Sequence, residues 1–289
     1  MEEMRDSPQA FPNVPARWLL SAVAITLLGI VVCVWLSLCL LFWQGSWQLL
    51  YQPKAAITRT PASVGLAYEP IRFAVTETGI PQLTGWWLPN PDSRFTVLYL
   101  HGADGNLSDT VDALAALHRT GLAVFAFDPR GYGHSQSPHP NESQWLSDAN
   151  RALDYLTQNR HIQASSIVLY GEGLGANLAA ELTADHRELA GVILDQPVQD
   201  ALAPVIHDPR SRLVPTRWLV KDTYDLATAS TSLRIPSLWL LAKSKVTPST
   251  QIPAAYQAAA GKKTAVWLSA PPETDPSFAE SLHRWLSDL

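Results

Sequence analysis

Tyr170-Gly171-Glu172-Gly173-Leu174-Gly175-Ala176-Asn177 is the stretch whose reading decides the fold. An apolar run, Ser166-Ile167-Val168-Leu169-Tyr170, leads into it, and a helix-forming run, Leu174 to Leu182, follows. Apolar strand, glycine turn and helix in that order describe a sharp strand-to-helix reversal. Glycines at such a turn permit strained backbone and close packing of strand on helix. The middle residue of the turn stands at its apex. Here that residue is Gly173, which presents no side chain.

Working outward, short and nearly continuous apolar runs recur: Thr96–Leu100, Ala123–Phe127, Ser166–Tyr170, Gly191–Leu194, Ser237–Leu241 and Thr264–Leu268. Runs of this kind suit strands buried on both faces of a parallel sheet. Helical patterns alternate with them over Leu107–His118 (with Ser108 or Asp109 as cap), Glu142–Gln158, Leu174–Ala184, Ile252–Ala260 and Phe278–Leu286. In the second of these, Trp145, Ala149, Ala152, Leu153 and Leu156 share a face. Such alternation predicts right-handed crossovers and a doubly wound sheet. Ahead of it, Ile71–Glu77 and Leu83–Leu88, separated by Thr78-Gly79, predict an antiparallel hairpin. Trp86 and Trp87 are adjacent in the second arm and so face opposite sides, which exposes one of them as a possible contact surface. Between 196 and 234 the pattern lapses at Pro197, Pro204, Pro209 and Pro215, as in a short cap over the carboxyl end of the sheet.

The N-terminal part is of another kind. Leu19 to Phe42 carries no charge over 24 residues, roughly 36 Å of helix at about 1.5 Å per residue. About 20 residues cross a bilayer, and the apolar core of a cleaved signal peptide is only about 7–15. Trp18 marks one end of the run, Trp43 and Trp47 the other, as interfacial aromatics do. The expected organisation is a tail (1–17), a transmembrane helix (18–43) that holds the lipid bilayer, a connector (44–70) and an α/β domain (71–289). Arg5 and Arg17 balance Lys54 and Arg59, so charge leaves orientation open. A short tail ahead of a single span places the tail in the cytoplasm. The domain is then expected outside, in the periplasm of a bacterial inner membrane.

The net charge of −5 lacks the basic footprint of a nucleic-acid binder. Both cysteines, Cys33 and Cys39, lie in the apolar run, so the domain has no thiol nucleophile, disulfide or cysteine-based zinc site. No cofactor or metal is expected.

Two further motifs complete the pattern. His101-Gly102-Ala103-Asp104-Gly105-Asn106 follows the first parallel strand, and Asp128-Pro129-Arg130-Gly131-Tyr132-Gly133-His134-Ser135 ends the second. With the Gly173 turn, the chain resembles the α/β-hydrolase superfamily from about Tyr51 to its end. It looks most like the membrane-anchored, serine aminopeptidase-like α/β-hydrolase-domain proteins. In that family the turn is the nucleophile elbow, G-x-S-x-G. The resemblance implies oxyanion-hole donors at the backbone amides of Ala103 and Leu174, and structural roles for Asp128, Arg130 and Tyr132. It also implies a triad that this chain lacks. Gly173 holds the nucleophile position. Ser244, in Ser244-Lys245-Val246-Thr247-Pro248, replaces the acid, and Glu273, in Ala270-Pro271-Pro272-Glu273-Thr274-Asp275, replaces the histidine. Ser135 and Ser137 stand on the wrong loop to substitute. Asp104, Asp195 and Glu273 read as solvated loop acids, with a cation site as the alternative. Loss of the nucleophile alone costs about 10⁶ in turnover, and a residual factor of about 10³–10⁴ over water survives from the oxyanion hole and binding. The expected function is therefore a membrane-anchored pseudo-hydrolase, a non-catalytic binding or accessory subunit for a membrane protein partner. The alternatives are a hydrolase of atypical mechanism and a sensor of an acidic or lipid-like ligand.

Overall fold

The computed structural model describes residues 15–76, 79–137, 139–243 and 253–289. Eight strands form one sheet: β1 (Glu69–Val75), β2 (Pro81–Leu88), β3 (Thr96–Leu100), β4 (Ala123–Asp128), β5 (Ile167–Glu172), β6 (Gly191–Asp195), β7 (Ser237–Ala242) and β8 (Lys263–Leu268). Their order across the sheet is β8-β7-β6-β5-β3-β4-β2-β1. From β3 to β8 every pairing is parallel, whereas β2 runs antiparallel to both β1 and β4. The strands lie within one or two residues of the apolar runs, because a strand buried on both faces shows in sequence as an unbroken apolar segment.

The main helices are α1 (Ala16–Gly45), α2 (Val111–Arg119), α3 (Glu142–Asp154), α4 (Leu174–Leu182) and, last in the chain, α9 (Pro276–Ser287). Four short ones come between: α5 (Ala203–His207), α6 (Thr216–Leu219), α7 (Leu226–Ser232) and α8 (Ala254–Ala258). Two cores result. Trp145 and Ala149 of α3 join Leu178 of α4 and Leu98, Phe125 and Leu169 of the sheet on one face. Val111 and Leu114 of α2 join Phe278 and Trp285 of α9, with Val97, Val168 and Ile193, on the other.

Both tryptophans of β2 are buried, one in each core, so the contact surface expected at Trp86-Trp87 is absent. Tyr68 covers Trp86 edge-on, and the Arg160 guanidinium lies over Trp87. The alternation was correct; what it missed is that both sides of the hairpin are covered. Asn106, not Ser108 or Asp109, opens the helical segment before α2. Its side chain accepts from the Ser108 amide while Asp109 reaches back to the Asn106 amide, a capping box.

Helix α1 is long and apolar enough to cross a membrane, and nearly all of its residues are exposed. Cys39 and Phe42 near its end are buried against the domain, and Trp47 just beyond stacks on His139. The chain then pairs Gln52–Pro53 with Asp104–Gly105, which brings the connector beside the loop after β3.

Candidate functional site

The site lies at the carboxyl ends of β3, β5 and β6. Gly173 adopts φ 56° and ψ −120° between β5 and α4. This left-handed region is costly for any residue with a side chain. Its neighbours are fixed for another reason. A Cβ at Gly171 would meet the Gly175 carbonyl oxygen at 2.3 Å, and one at Gly175 would meet the Leu100 and His101 carbonyl oxygens at 2.4 Å. Those two glycines let strand and helix touch. At Gly173 the nearest atom to a built Cβ is 3.9 Å away, so the apex has room for a side chain and carries none.

The loop that carries Ala103 is anchored through its carbonyl. The Ala103 carbonyl accepts from the Gln52 amide (3.1 Å) and the Tyr132 hydroxyl (2.7 Å), which fixes the loop from two sides. Neither the Ala103 amide nor the Leu174 amide donates to a group among the described residues. Leu174 also begins α4, where the helix dipole favours negative charge.

The loop after β4 is structural, as the resemblance implies. The Arg130 amide and guanidinium both bond Asp148 (2.8 Å each). Asp128 accepts from the Leu107 amide (2.9 Å). Ser135 is taken up by the Asp128 carbonyl and the Thr84 amide, and Ser137 donates to the His139 carbonyl, so neither is poised as a nucleophile. His101 is 1% exposed and packs edge-on against Tyr132. Burial lowers its pKa to about 4, so the ring is neutral at pH 7, while burial raises Asp128 beside it to about 7.

A feature the sequence reading missed lies on the α2/α9 face of the same strands. Tyr99 and Tyr170 are cross-strand partners and stack with centroids 4.9 Å apart. Tyr99 donates to Glu172 and Tyr170 to Asp195, each at 2.7 Å. Glu172 and Asp195 are themselves cross-strand partners, and Glu273 lies within electrostatic reach of both. Burial first, and the neighbouring carboxylates second, raise Asp195 to about 7. Glu172 is raised as well, chiefly by burial. The converging acids are thus Glu172, Asp195 and Glu273. Asp104 is exposed, and its charge acts instead on Tyr132. Burial and neighbouring charge favour the protonated forms of Glu172 and Asp195; among the described residues no group has the arrangement to hold a metal. The signal was legible only once register was known, because Tyr99 and Tyr170 become neighbours through β3/β5 pairing.

Of the positions matched to a triad, Gly173 is at the apex and Glu273 is half-buried in the turn between β8 and α9. Ser244 lies outside the described residues. A cavity of about 880 Å³ is lined away from this corner, by Trp43, Trp47, Leu50, Leu146 and Leu219 among others.

Comparison with known proteins agrees with this fold. The family model for serine aminopeptidase (S33) matches residues 91–263. An uncharacterized protein of Mycobacterium tuberculosis is 30% identical over 262 residues, 89% of this chain and 90% of the relative. An uncharacterized membrane protein of Saccharomyces cerevisiae is 33% identical over 47% of this chain and 48% of its own length. The α/β-hydrolase domain-containing protein WAV2 of Arabidopsis thaliana is 29% identical over 47% of this chain and 44% of its own length. Among solved structures, the Pyrococcus furiosus esterase Pf2001 superimposes with a TM-score of 0.61 at 17% identity, over 83% of this chain and 97% of that one. At that identity the likeness is one of fold.

Proposed function

The chain belongs to the serine aminopeptidase-like α/β-hydrolase family, and from that premise we propose that it is a membrane-anchored member without hydrolase chemistry. It acts as a binding or accessory subunit for a membrane partner. The observation that carries this reading is Gly173: an elbow kept in its strained geometry, with space at the apex and no nucleophile. The turn where the resemblance places the base supports it, for Glu273 sits there amid other carboxylates. Acyl transfer needs a nucleophile, a base to take its proton and a group to orient that base. Two unengaged amides bind an anion but do not by themselves turn over an ester.

Helix α1 serves as the anchor. Most of its apolar surface is exposed, and a lipid environment removes that surface from water.

The test is capture of the full chain from native membranes in mild detergent, followed by quantitative mass spectrometry and an ester-turnover assay on the same material. A stoichiometric membrane partner and no turnover above background are expected. Turnover at ordinary hydrolase rates would overturn the reading.

The oxyanion corner favours one other reading, a sensor that holds a carboxylate at the Ala103 and Leu174 amides. A small acid that co-purifies at one equivalent and is displaced by Leu174→Pro, which removes an amide at the first turn of α4, would establish it.

A further inference from the structure

Part of the cap presents large apolar side chains to its surroundings. Trp218 is 86% exposed, Leu213 61% and Ile206 39%, all within one short segment. A monomeric domain in water rarely leaves such residues together on one short stretch. Between 203 and 221 the sequence has Arg210, Arg212, Arg217 and Lys221 against a single carboxylate, Asp208, which Arg210 already pairs at 2.8 Å. Arg212, Arg217 and Lys221 have no ion pair among the described residues. Apolar tips among unpaired cations are the composition of an interfacial membrane contact.

The position of the segment says which surface it meets. The indole Nε1–H of Trp35, in α1, donates to the Leu213 carbonyl at 3.0 Å. If hydrocarbon begins at Leu19, just inside Trp18, about 30 Å of bilayer takes up about 20 residues and ends near Leu38. Trp35 then sits roughly 5 Å inside that boundary, and Leu213 with it. Interfacial elements bury their apolar faces by about 5–10 Å. The chemistry of the tip fits this depth. Pro209 and Pro215 have no N–H to leave unpaired, and the exposed carbonyl of Leu213 is satisfied by a donor from the helix itself.

We propose that residues 203–221 form a second membrane contact, on the leaflet through which α1 leaves the bilayer. Leu213 and Trp218 enter the outer acyl region, and Arg212, Arg217 and Lys221 lie among anionic headgroups. The inference rests on the reading of α1 as an anchor. The domain is then held by two points and cannot swing freely about the connector. On that placement the cavity lined by Trp43 of α1 and Leu219 of the cap lies at the level of the lipid headgroups.

The experiment uses the full chain, with Cys33→Ala and Cys39→Ala, in vesicles of phosphatidylcholine with phosphatidylglycerol. An environment-sensitive fluorophore is attached through Trp218→Cys, Leu28→Cys or Asp92→Cys, in separate samples. Nitroxide-bearing lipids serve as quenchers, labelled near the headgroup end of the chain or near its methyl end.

The label at position 28 should be quenched by the deep nitroxide. The label at position 218 should be quenched at least about three-fold more by the shallow nitroxide than the label at position 92, which should respond only to aqueous iodide. If position 218 behaves like position 92 while position 28 is deep, the cap contact is wrong and the anchor stands. If position 28 is also open to iodide, both fall. Replacing Arg212, Arg217 and Lys221 together by Gln should cut the shallow quenching at position 218 by about two-fold or more. Unchanged quenching would overturn the role given to the cations.

Discussion

The carboxyl edge at Gly173 and the junction of α1, α3 and the cap lie on one domain and are built in opposite ways. At the first, backbone does the work: three glycines, and two amides that donate to no group among the described residues. At the second, side chains do it. Tyr51 donates to Asp222 at 2.9 Å and pairs with the Tyr224 hydroxyl at 2.8 Å. Trp145 packs against Tyr51, Tyr132 and Tyr224, Glu142 accepts the amides of Thr223 and Tyr224, and Asn177 bonds Val198 and Tyr224. A hydrolase concentrates such a network around its nucleophile. Here the dense network ties the segment that follows α1 to the cap. On the reading proposed above, the fold serves for what it holds in place, since Gly173 leaves the apex of its elbow without a side chain.

The contrast is sharpest within the elbow. Gly175→Val should cost more than about 4 kcal/mol, because its Cβ meets backbone oxygen at 2.4 Å and no side chain can yield. Gly173→Ser should cost only about 1–3 kcal/mol, the price of φ 56° for a residue with a side chain. Thermal unfolding of the two variants in detergent reads the gap, and equal losses would break the distinction between packing glycine and empty apex. At the junction, Trp145→Ala should cost about 3–5 kcal/mol, as for a fully buried aromatic, and should open the cap to protease before the sheet. Uniform cleavage would show that the network does not hold the cap. Tyr51→Phe should cost about 1–2 kcal/mol, since it removes the bond to Asp222 and the partner of a buried hydroxyl.

A smaller effect depends on pH. Asp195 has its folded pKa raised to about 7 by burial, so between about 4 and 7 the folded state binds a proton that the unfolded state does not. The stability this carboxyl contributes is complete below about pH 4 and is lost as pH rises through about 7. Asp128 and Glu142, also raised to about 7 by burial, act in the same direction. Asp275, held down to about 2 by bonds from Ser277, Ser269 and Ala270, acts in the other and matters only below about pH 4. Wild-type protein should therefore unfold more easily at pH 8 than at pH 5. Asp195→Asn keeps an acceptor for Tyr170 and cannot ionise. It should match wild type near pH 5 and gain on the order of 2 kcal/mol at pH 8. A parallel pair of pH profiles would show that Asp195 is ionised at no cost in the fold.

The architecture was legible in the sequence because a parallel sheet writes itself as unbroken apolar runs, and the elbow because only glycines allow it. Gly173, Ala103 and Leu174 were found by motif; the structure sets Gly173 and Leu174 at the turn from β5 into α4, with the Gly102 Cα 3.9 Å from a Cβ built at Gly173. Asp104, Asp195 and Glu273 were read as solvated loop acids, but Asp195 is 4% exposed and its close carboxylate neighbour is Glu172, because the sequence does not say which loop acids share a face. Cross-strand register does, by setting Glu172 opposite Asp195. The Tyr51–Asp222–Tyr224 contact joins residues about 170 apart and follows no local pattern, so periodicity could not reach it. Trp218 was passed over for a similar reason: its exposure is a property of how the cap folds, not of the four residues around it.

The most direct test is intact-mass analysis of the purified full chain after exposure to a fluorophosphonate, alongside Gly173→Ser. The expected result is no adduct on wild type and none on the variant, whose new hydroxyl would sit at the apex beside carboxylates instead of an imidazole. A stoichiometric adduct on the wild-type protein would mean that a nucleophile other than residue 173 serves the site, and the chain would be a working hydrolase.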